Sequence, residues 1–162
     1  MANKLKVGVL GATGMVGQRF VSLLSEHPWF EVTAVAASPS SAGKRYGDAV
    51  AGRWSLPGEV PAATAKLVVG DASQVEAMAS QVDFVFCAVD LDKTATAKLE
   101  EDYARAETPL VSNNSAHRGT PDVPMMIPEI NSDHAAIIEA QRRRLGTKRG
   151  FVAVKPNCSL QS

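Results

Sequence analysis

Leu5-Lys6-Val7-Gly8-Val9-Leu10-Gly11-Ala12-Thr13-Gly14-Met15-Val16-Gly17 (residues 5–17) joins an apolar run to a glycine-punctuated turn and then to a helical pattern. Residues 5–10 read as a strand. Val16, Phe20, Leu23 and Leu24 then recur at helical spacing until His27-Pro28 stops the helix. Gly11, Gly14 and Gly17 follow a GxxGxxG spacing. Glycine suits a chain that must turn sharply and bring its backbone close to an anion with no Cβ in the way. Amide N–H groups and the positive end of the following helix then hold the anion. A dinucleotide-binding fold carries its phosphate loop after the first strand and before an amphipathic helix. The bland reading of the same glycines is a tight turn with helix–strand packing.

Outward from this turn, apolar runs and helical patterns alternate. Val32–Ala37 reads as a second strand, residues 38–65 as a Pro/Gly/Ser-rich loop with short elements, and Lys66–Val69 as a third strand. A short helix over Ser73–Ser80 precedes Val82–Val89, whose nearly continuous apolar sequence predicts a strand buried on both faces. Asp92–Glu107 reads as a helix with Ala95, Leu99, Tyr103 and Ala106 on one side, ended by Thr108-Pro109. Leu110–Ser112 is a strand stub before a polar loop at residues 113–124. Asn131 or Ser132 is placed to cap a helix ending at Gly146, and Phe151–Val154 is the last strand. The repeated strand–helix–strand order predicts an α/β fold: a Rossmann-like, doubly wound, mainly parallel sheet with helices on both faces.

Composition narrows the partners. The 162 residues suit one domain, and the 45% hydrophobic content is ordinary for a globular fold. Seventeen basic and seventeen acidic side chains balance, so no overall field draws the chain to nucleic acid or to an anionic membrane. No apolar run approaches the roughly 18 residues of a membrane span, and no signal-peptide core follows Met1-Ala2-Asn3. Two distant cysteines, Cys87 and Cys158, make no disulfide framework and point to a reducing cytoplasm. No metal-ligand set is assigned. The basic run Arg142-Arg143-Arg144 lacks interleaved aromatics and reads as a solvated helix end.

Three positions carry candidate chemistry. Between Val32 and Gly47 there is no acid to accept from ribose hydroxyls. Ser38, Ser40, Ser41, Lys44 and Arg45 stand there instead, hydroxyls and cations suited to a 2′-phosphate, which favours NADP. Cys158 follows a strand and Pro156-Asn157 at the expected entrance of a helix, where a thiol gains thiolate character and becomes a nucleophile toward acyl carbons. Cys87, inside an apolar strand, is structural. Asn113-Asn114-Ser115-Ala116-His117-Arg118 leaves a strand on the same predicted sheet edge, and Arg118 suits a phosphate clamp. His117 is read as solvated and is given no catalytic role.

Taken together, GATGMVG, SNNSAHR, IPEIN and PNCS resemble the aspartate-semialdehyde dehydrogenase family in order and spacing across essentially the whole chain, with PNCSLQS closer to its archaeal and fungal-like branch. The resemblance implies NADPH-dependent reduction of L-aspartyl 4-phosphate to L-aspartate 4-semialdehyde, a step toward lysine, methionine and threonine. It implies Cys158 as nucleophile forming a thioester, with Arg118 and Asn157 binding substrate phosphate or acyl group. Thr13, Gly14, Met15 and Val16 match the cofactor loop, and Ser38 and Ser41 lie near the 2′-phosphate. Members are roughly twice this length and usually dimeric or tetrameric. The expectation is therefore a dinucleotide-binding domain over residues 1–162, without the part that supplies a catalytic histidine, a carboxylate-binding arginine and a phosphate-binding lysine. Such a fragment is expected not to turn over, since positioning and acid–base help are each worth orders of magnitude. The rival readings are an N-acetyl-glutamyl-phosphate or malonyl-CoA reductase and a non-catalytic NADP-binding domain. A tyrosine–lysine dehydrogenase is disfavoured because neither Tyr46 nor Tyr103 has a lysine four residues on.

Overall fold

The computed structural model describes residues 4–160, so the start Met1–Asn3 and the last two residues of PNCSLQS, Gln161 and Ser162, lie outside it. The chain forms two compact units, Met1–Asp90 and Leu91–Ser162.

In the first unit β1 (Leu5–Leu10) leads through the glycine turn to α1 (Met15–Leu24) and β2 (Phe30–Ala37). Two short helices, α2 (Tyr46–Val50) and α3 (Ala62–Ala65), punctuate the long loop. Then come β3 (Val69–Asp71), α4 (Val75–Ala79) and β4 (Phe84–Cys87). The strands run in the order β3-β2-β1-β4, each pair parallel. Succession proceeds outward from β1 to β3 on one side and resumes at β4 on the other. The β1/β4 boundary is therefore a topological switch point, the crevice where open α/β sheets bind ligands.

Two readings shift here. The third strand begins at Val69, not Lys66, because Val68 forms only an isolated antiparallel bridge with Arg45. The buried face of α1 is Gly17, Gln18, Val21 and Leu24, whereas Val16 and Leu23 are exposed. A stripe drawn through large apolar residues passes over the buried glycine and amide that actually face inward. In β4 burial alternates: Val85 and Cys87 are fully buried while Phe84 and Phe86 are half-buried beside Phe20 and Phe30. The core of this unit gathers Val7, Val9, Val21, Val35, Tyr46 and Val50.

The second unit opens with α5 (Lys93–Arg105), whose N-cap Asp92 accepts from the Thr94 and Ala95 amides at 2.9 Å each. Its buried face is Thr96, Glu100, Tyr103 and Ala104, so only Tyr103 of the expected apolar stripe is fully inside. β5 (Leu110–Ser112) and β6 (Val152–Val154) pair in parallel, Leu110 opposite Val152. The helix expected between them is broken: α6 (Pro128–Asn131), a 3-10 stretch at Ser132–Ile137, then α7 (Ile138–Leu145) ending at Gly146. Asn131 caps nothing, because its side chain turns back to accept from the Ile127 amide and to donate to the Met125 carbonyl. From α7, Gln141 is fully buried and acts as a surrogate strand edge, donating to the Asp122 and Val152 carbonyls and accepting from the Val152 amide. Arg144 is less solvated than the basic run implied: it forms a fork with Asp122 (2.6 and 3.0 Å) and reaches Glu101 at 2.7 Å. Among the described residues the paired strands run parallel, the Rossmann-like pattern expected.

After α5 the chain turns at Glu107, which holds a left-handed φ of 58°. Its carboxylate accepts from three successive amides, Lys148, Arg149 and Gly150, at 2.6–3.1 Å. Those bonds, Lys148's first, hold its pKa down to about 2 from the usual 4.5. A depressed carboxylate contributes stability that is complete above the unfolded value and fades as pH falls from about 4.5 toward 2. Urea midpoints measured between pH 6 and pH 2 should show this loss, and Glu107→Gln should flatten it. An unchanged pH profile in that variant would remove the amide clamp from the account.

Candidate nucleotide loop and thiol site

At the end of β1 the Gly11 and Ala12 amides both donate to the Ala36 carbonyl, at 2.8 and 3.0 Å. This lifts the chain off the sheet and brings the glycine turn to the end of β2. Gly11 has φ +75°, and a Cβ there would meet the Ala88 carbonyl oxygen at 2.3 Å, so the turn lies directly against the residues leaving β4. Gly17 is equally constrained, since its Cβ would fall 2.1 Å from the Gly11 oxygen.

Gly14 differs from both. Its φ is −79°, and the nearest atom to a Cβ would be the Gly11 oxygen at an ordinary 3.5 Å. Neither backbone conformation nor packing within the protein calls for glycine there. It is the N-cap of the ten-residue α1, makes no side-chain cap, and no acid stands in the first turn. The first N–H groups of a helix have no intrahelical acceptor. Exposed Gly14, Met15 and Val16 therefore surround a helix N-terminus that a phosphate can approach closely. A dinucleotide's pyrophosphate fits this set.

Beyond β2, Ser38 and Ser40 are exposed with their hydroxyls 2.9 Å apart, and Lys44 and Arg45 are also exposed. Ser41 is 95% covered, its amide bonded to the Ser38 carbonyl. The loop thus presents Ser38, Ser40 and the cations outward, with Ser41 buried beneath them.

In the second unit Arg118 is half-buried. Its Nε donates to the Lys155 carbonyl at 3.2 Å, and its Nη2 to the Asn113 and Pro156 carbonyls at 3.3 and 3.5 Å. Arg118 therefore pins the segment just before Asn157 and Cys158, and Nη1 takes part in none of the three bonds. Cys158 is exposed, and its thiol donates to Asn157 Oδ1 at 3.5 Å. The same oxygen accepts from the Ser159 amide (3.0 Å) and hydroxyl (2.9 Å). Cys158–Leu160 forms a 3-10 turn at the end of the described residues, where the thiol's local partner is the Asn157 side-chain oxygen. Cys87 is fully buried in β4, as read from its apolar run.

Sequence reasoning missed two polar groups of functional interest and misjudged a third. Gln18, 1% exposed, bonds the glycine loop; Tyr46, fully buried, does the same from α2. An amide at a helix position between Gly17 and Val21 was the available signal. His117 is 4% exposed, not solvated: its ring bonds the Thr120 hydroxyl at 3.0 Å and the Ala97 carbonyl at 3.1 Å.

Residues 6–138 match the family model described as semialdehyde dehydrogenase, NAD binding domain. The chain is 42% identical over 158 residues to the aspartate-semialdehyde dehydrogenase of Archaeoglobus fulgidus, covering 96% of this chain and 43% of that protein. The Methanothermobacter thermautotrophicus enzyme of the same name is 45% identical over 157 residues, 96% of this chain and 42% of that one. The crystal structure of aspartate semialdehyde dehydrogenase with NADP from Candida albicans matches with a TM-score of 0.83 at 38% identity, over 97% of this chain and 44% of that one. The chain thus spans less than half the length of these relatives. No helix among the described residues is long and apolar enough to cross a membrane.

Proposed function

This chain belongs to the semialdehyde dehydrogenase family through its NAD-binding domain, and from that membership we propose that it is the cofactor-binding part of an NADPH-dependent aspartate-semialdehyde dehydrogenase. The reaction is reduction of L-aspartyl 4-phosphate to L-aspartate 4-semialdehyde. The observation that carries the cofactor half is Gly14, a glycine that the protein's own packing does not need, at an uncapped helix N-terminus. Gly11, Thr13, Met15 and Val16 complete the pyrophosphate cradle, while Ser38 and Ser41 lie by the 2′-phosphate beside Lys44 and Arg45.

On the substrate side the Cys158 sulfur, once its proton has left, attacks the acyl carbon. A C–S bond forms, the C–O bond to phosphate breaks, and inorganic phosphate departs with that electron pair. Asn157 holds the sulfur's turn. Arg118, anchored through Nε and Nη2 on the carbonyls of Lys155 and Pro156, keeps Nη1 for charge on the leaving phosphate. A nicotinamide held by the glycine loop would supply the hydride that reduces the acyl carbon to the aldehyde level. The domain extends over residues 1–162. In this reading residues 4–160 bind the cofactor and accept the acyl group, and turnover calls on acid–base groups in addition to these. The assembled enzyme works in the cytoplasm on a small acyl phosphate, as a homodimer or homotetramer.

Two measurements test this. Fluorescence titration should show NADPH binding more tightly than NADH. Incubation with acetyl phosphate as the probe should acylate Cys158, seen by mass spectrometry, with buried Cys87 untouched and Cys158→Ser unlabelled. Equal binding of the two nucleotides overturns the NADP assignment, and labelling unaffected by Cys158→Ser overturns the nucleophile.

A further inference from the structure

The glycine turn is gripped from inside by two buried polar side chains that the reaction itself does not use. The Tyr46 hydroxyl donates to the Ala12 carbonyl at 2.8 Å. Gln18 Nε2 donates to the Thr13 carbonyl at 3.0 Å and to the Arg53 carbonyl at 3.0 Å. Gln18 Oε1 in turn accepts from the Ser55 amide (2.9 Å) and hydroxyl (3.0 Å). The amide thus uses both donors and both acceptor sites, on groups supplied by the glycine loop and by residues 53–55. An apolar side chain on the inward face of α1 would pack without needing four partners. The network therefore specifies the loop's conformation and not merely its burial.

The peptide unit is planar and trans, so its N–H points opposite to its C=O. Fixing the Ala12 carbonyl inward on Tyr46 turns the Thr13 N–H the other way, away from the core. Fixing the Thr13 carbonyl on Gln18 sets the next peptide plane, whose Gly14 N–H closes the turn on the Gly11 oxygen at 3.1 Å. The first plane thus leaves the Thr13 N–H as an outward donor for a bound pyrophosphate, and the second closes the turn that carries it.

We propose that Tyr46 and Gln18 are positioning residues for the dinucleotide pyrophosphate, acting by setting the peptide planes of residues 12–14 in advance of binding. The inference rests on the NADP reading above. Its consequence is selective: affinity falls for ligands that carry a pyrophosphate and stays for a ligand that engages only the adenosine 2′-phosphate loop.

The test uses Tyr46→Phe, which keeps the ring and removes one hydroxyl, and Gln18→Met, which keeps length and removes the amide. Calorimetric titration with NADPH should show about a tenfold weaker binding for each variant, the scale of one lost hydrogen bond in a preorganised site. Adenosine 2′-monophosphate, which has no pyrophosphate, should bind each variant within about twofold of the parent. Parallel weakening of both ligands would reduce the two residues to general supports of the fold and overturn the proposal. So would NADPH affinity unchanged in Tyr46→Phe, the variant least prone to misfolding. A parent chain that binds NADPH as tightly as both variants do sinks this inference alone; a parent that binds no NADPH sinks the NADP reading with it.

Discussion

Gly17→Ala is expected to cost more than about 4 kcal/mol, a large share of the roughly 5–15 kcal/mol that holds an ordinary domain folded. The new methyl carbon would fall 2.1 Å from the Gly11 oxygen and 2.7 Å from the Ala12 Cα. Both are backbone atoms, so no rotamer change relieves the overlap. The Gly11 carbonyl is itself committed to the Gly14 amide, and the Gly11 and Ala12 amides to Ala36, so moving the turn breaks three hydrogen bonds. Gly14→Ala is the informative contrast. Three residues earlier, at φ −79° with only a 3.5 Å neighbour, it should shift stability by no more than about 1 kcal/mol, the usual N-cap difference. It should nevertheless weaken NADPH binding sharply, because the methyl occupies the surface the pyrophosphate needs. Urea unfolding and nucleotide titration of the two variants separate these roles. Unfolding midpoints that coincide for Gly17→Ala and the parent would refute the close helix–strand approach.

The same contrast explains what a linear reading can and cannot reach. Strand–turn–helix order survives in sequence because glycine spacing and apolar runs are local, so the glycine loop, the parallel α/β class and the switch from β1 to α1 were legible. The buried face of α1 was not. Periodicity counts large apolar residues, and Gly17 and Gln18 face inward for reasons set by Gly11, Arg53 and Ser55, which are distant in sequence or invisible to hydropathy. The helix before β6 was misread as continuous because Asn131, a good cap on paper, spends its side chain on Met125 and Ile127. Residue type offers Arg118 as a candidate phosphate clamp, but its hold on the Lys155 and Pro156 carbonyls depends on the β5–β6 pairing, which no local pattern encodes. His117 was misjudged for a related reason. A polar loop reads as solvated unless one knows that α5 offers it a carbonyl and a carboxylate.

That carboxylate sets the other large effect. Glu100 is fully buried on α5, its Oε1 accepting from the Ser112 hydroxyl and from Asn114 Nδ2 at 3.2 Å. Ser112 Oγ meanwhile accepts from the Asn114 amide at 2.9 Å, so one side chain fixes how the Asn113–Thr120 loop leaves β5. Its Oε2 has no hydrogen-bond partner among the described residues and lies 4.0 Å from His117 Nε2. Because a carbonyl can only accept, the Ala97 contact requires a proton on Nε2, and the Thr120 hydroxyl can donate to Nδ1 of the neutral ring. Glu100→Ala would open a cavity and remove the carboxylate oxygen to which the Ser112 hydroxyl and Asn114 Nδ2 donate, costing about 3–5 kcal/mol in all. Glu100→Gln keeps one carbonyl oxygen for those donors and should cost only about 1–2 kcal/mol, since its amide nitrogen still needs an acceptor of its own. Urea unfolding measures both, and amide exchange at Asn114 should accelerate in Glu100→Ala before global unfolding, because the loop loses its brace first. Equal stability of the Ala and Gln variants would show that filling the space, not accepting those hydrogen bonds, is what Glu100 contributes.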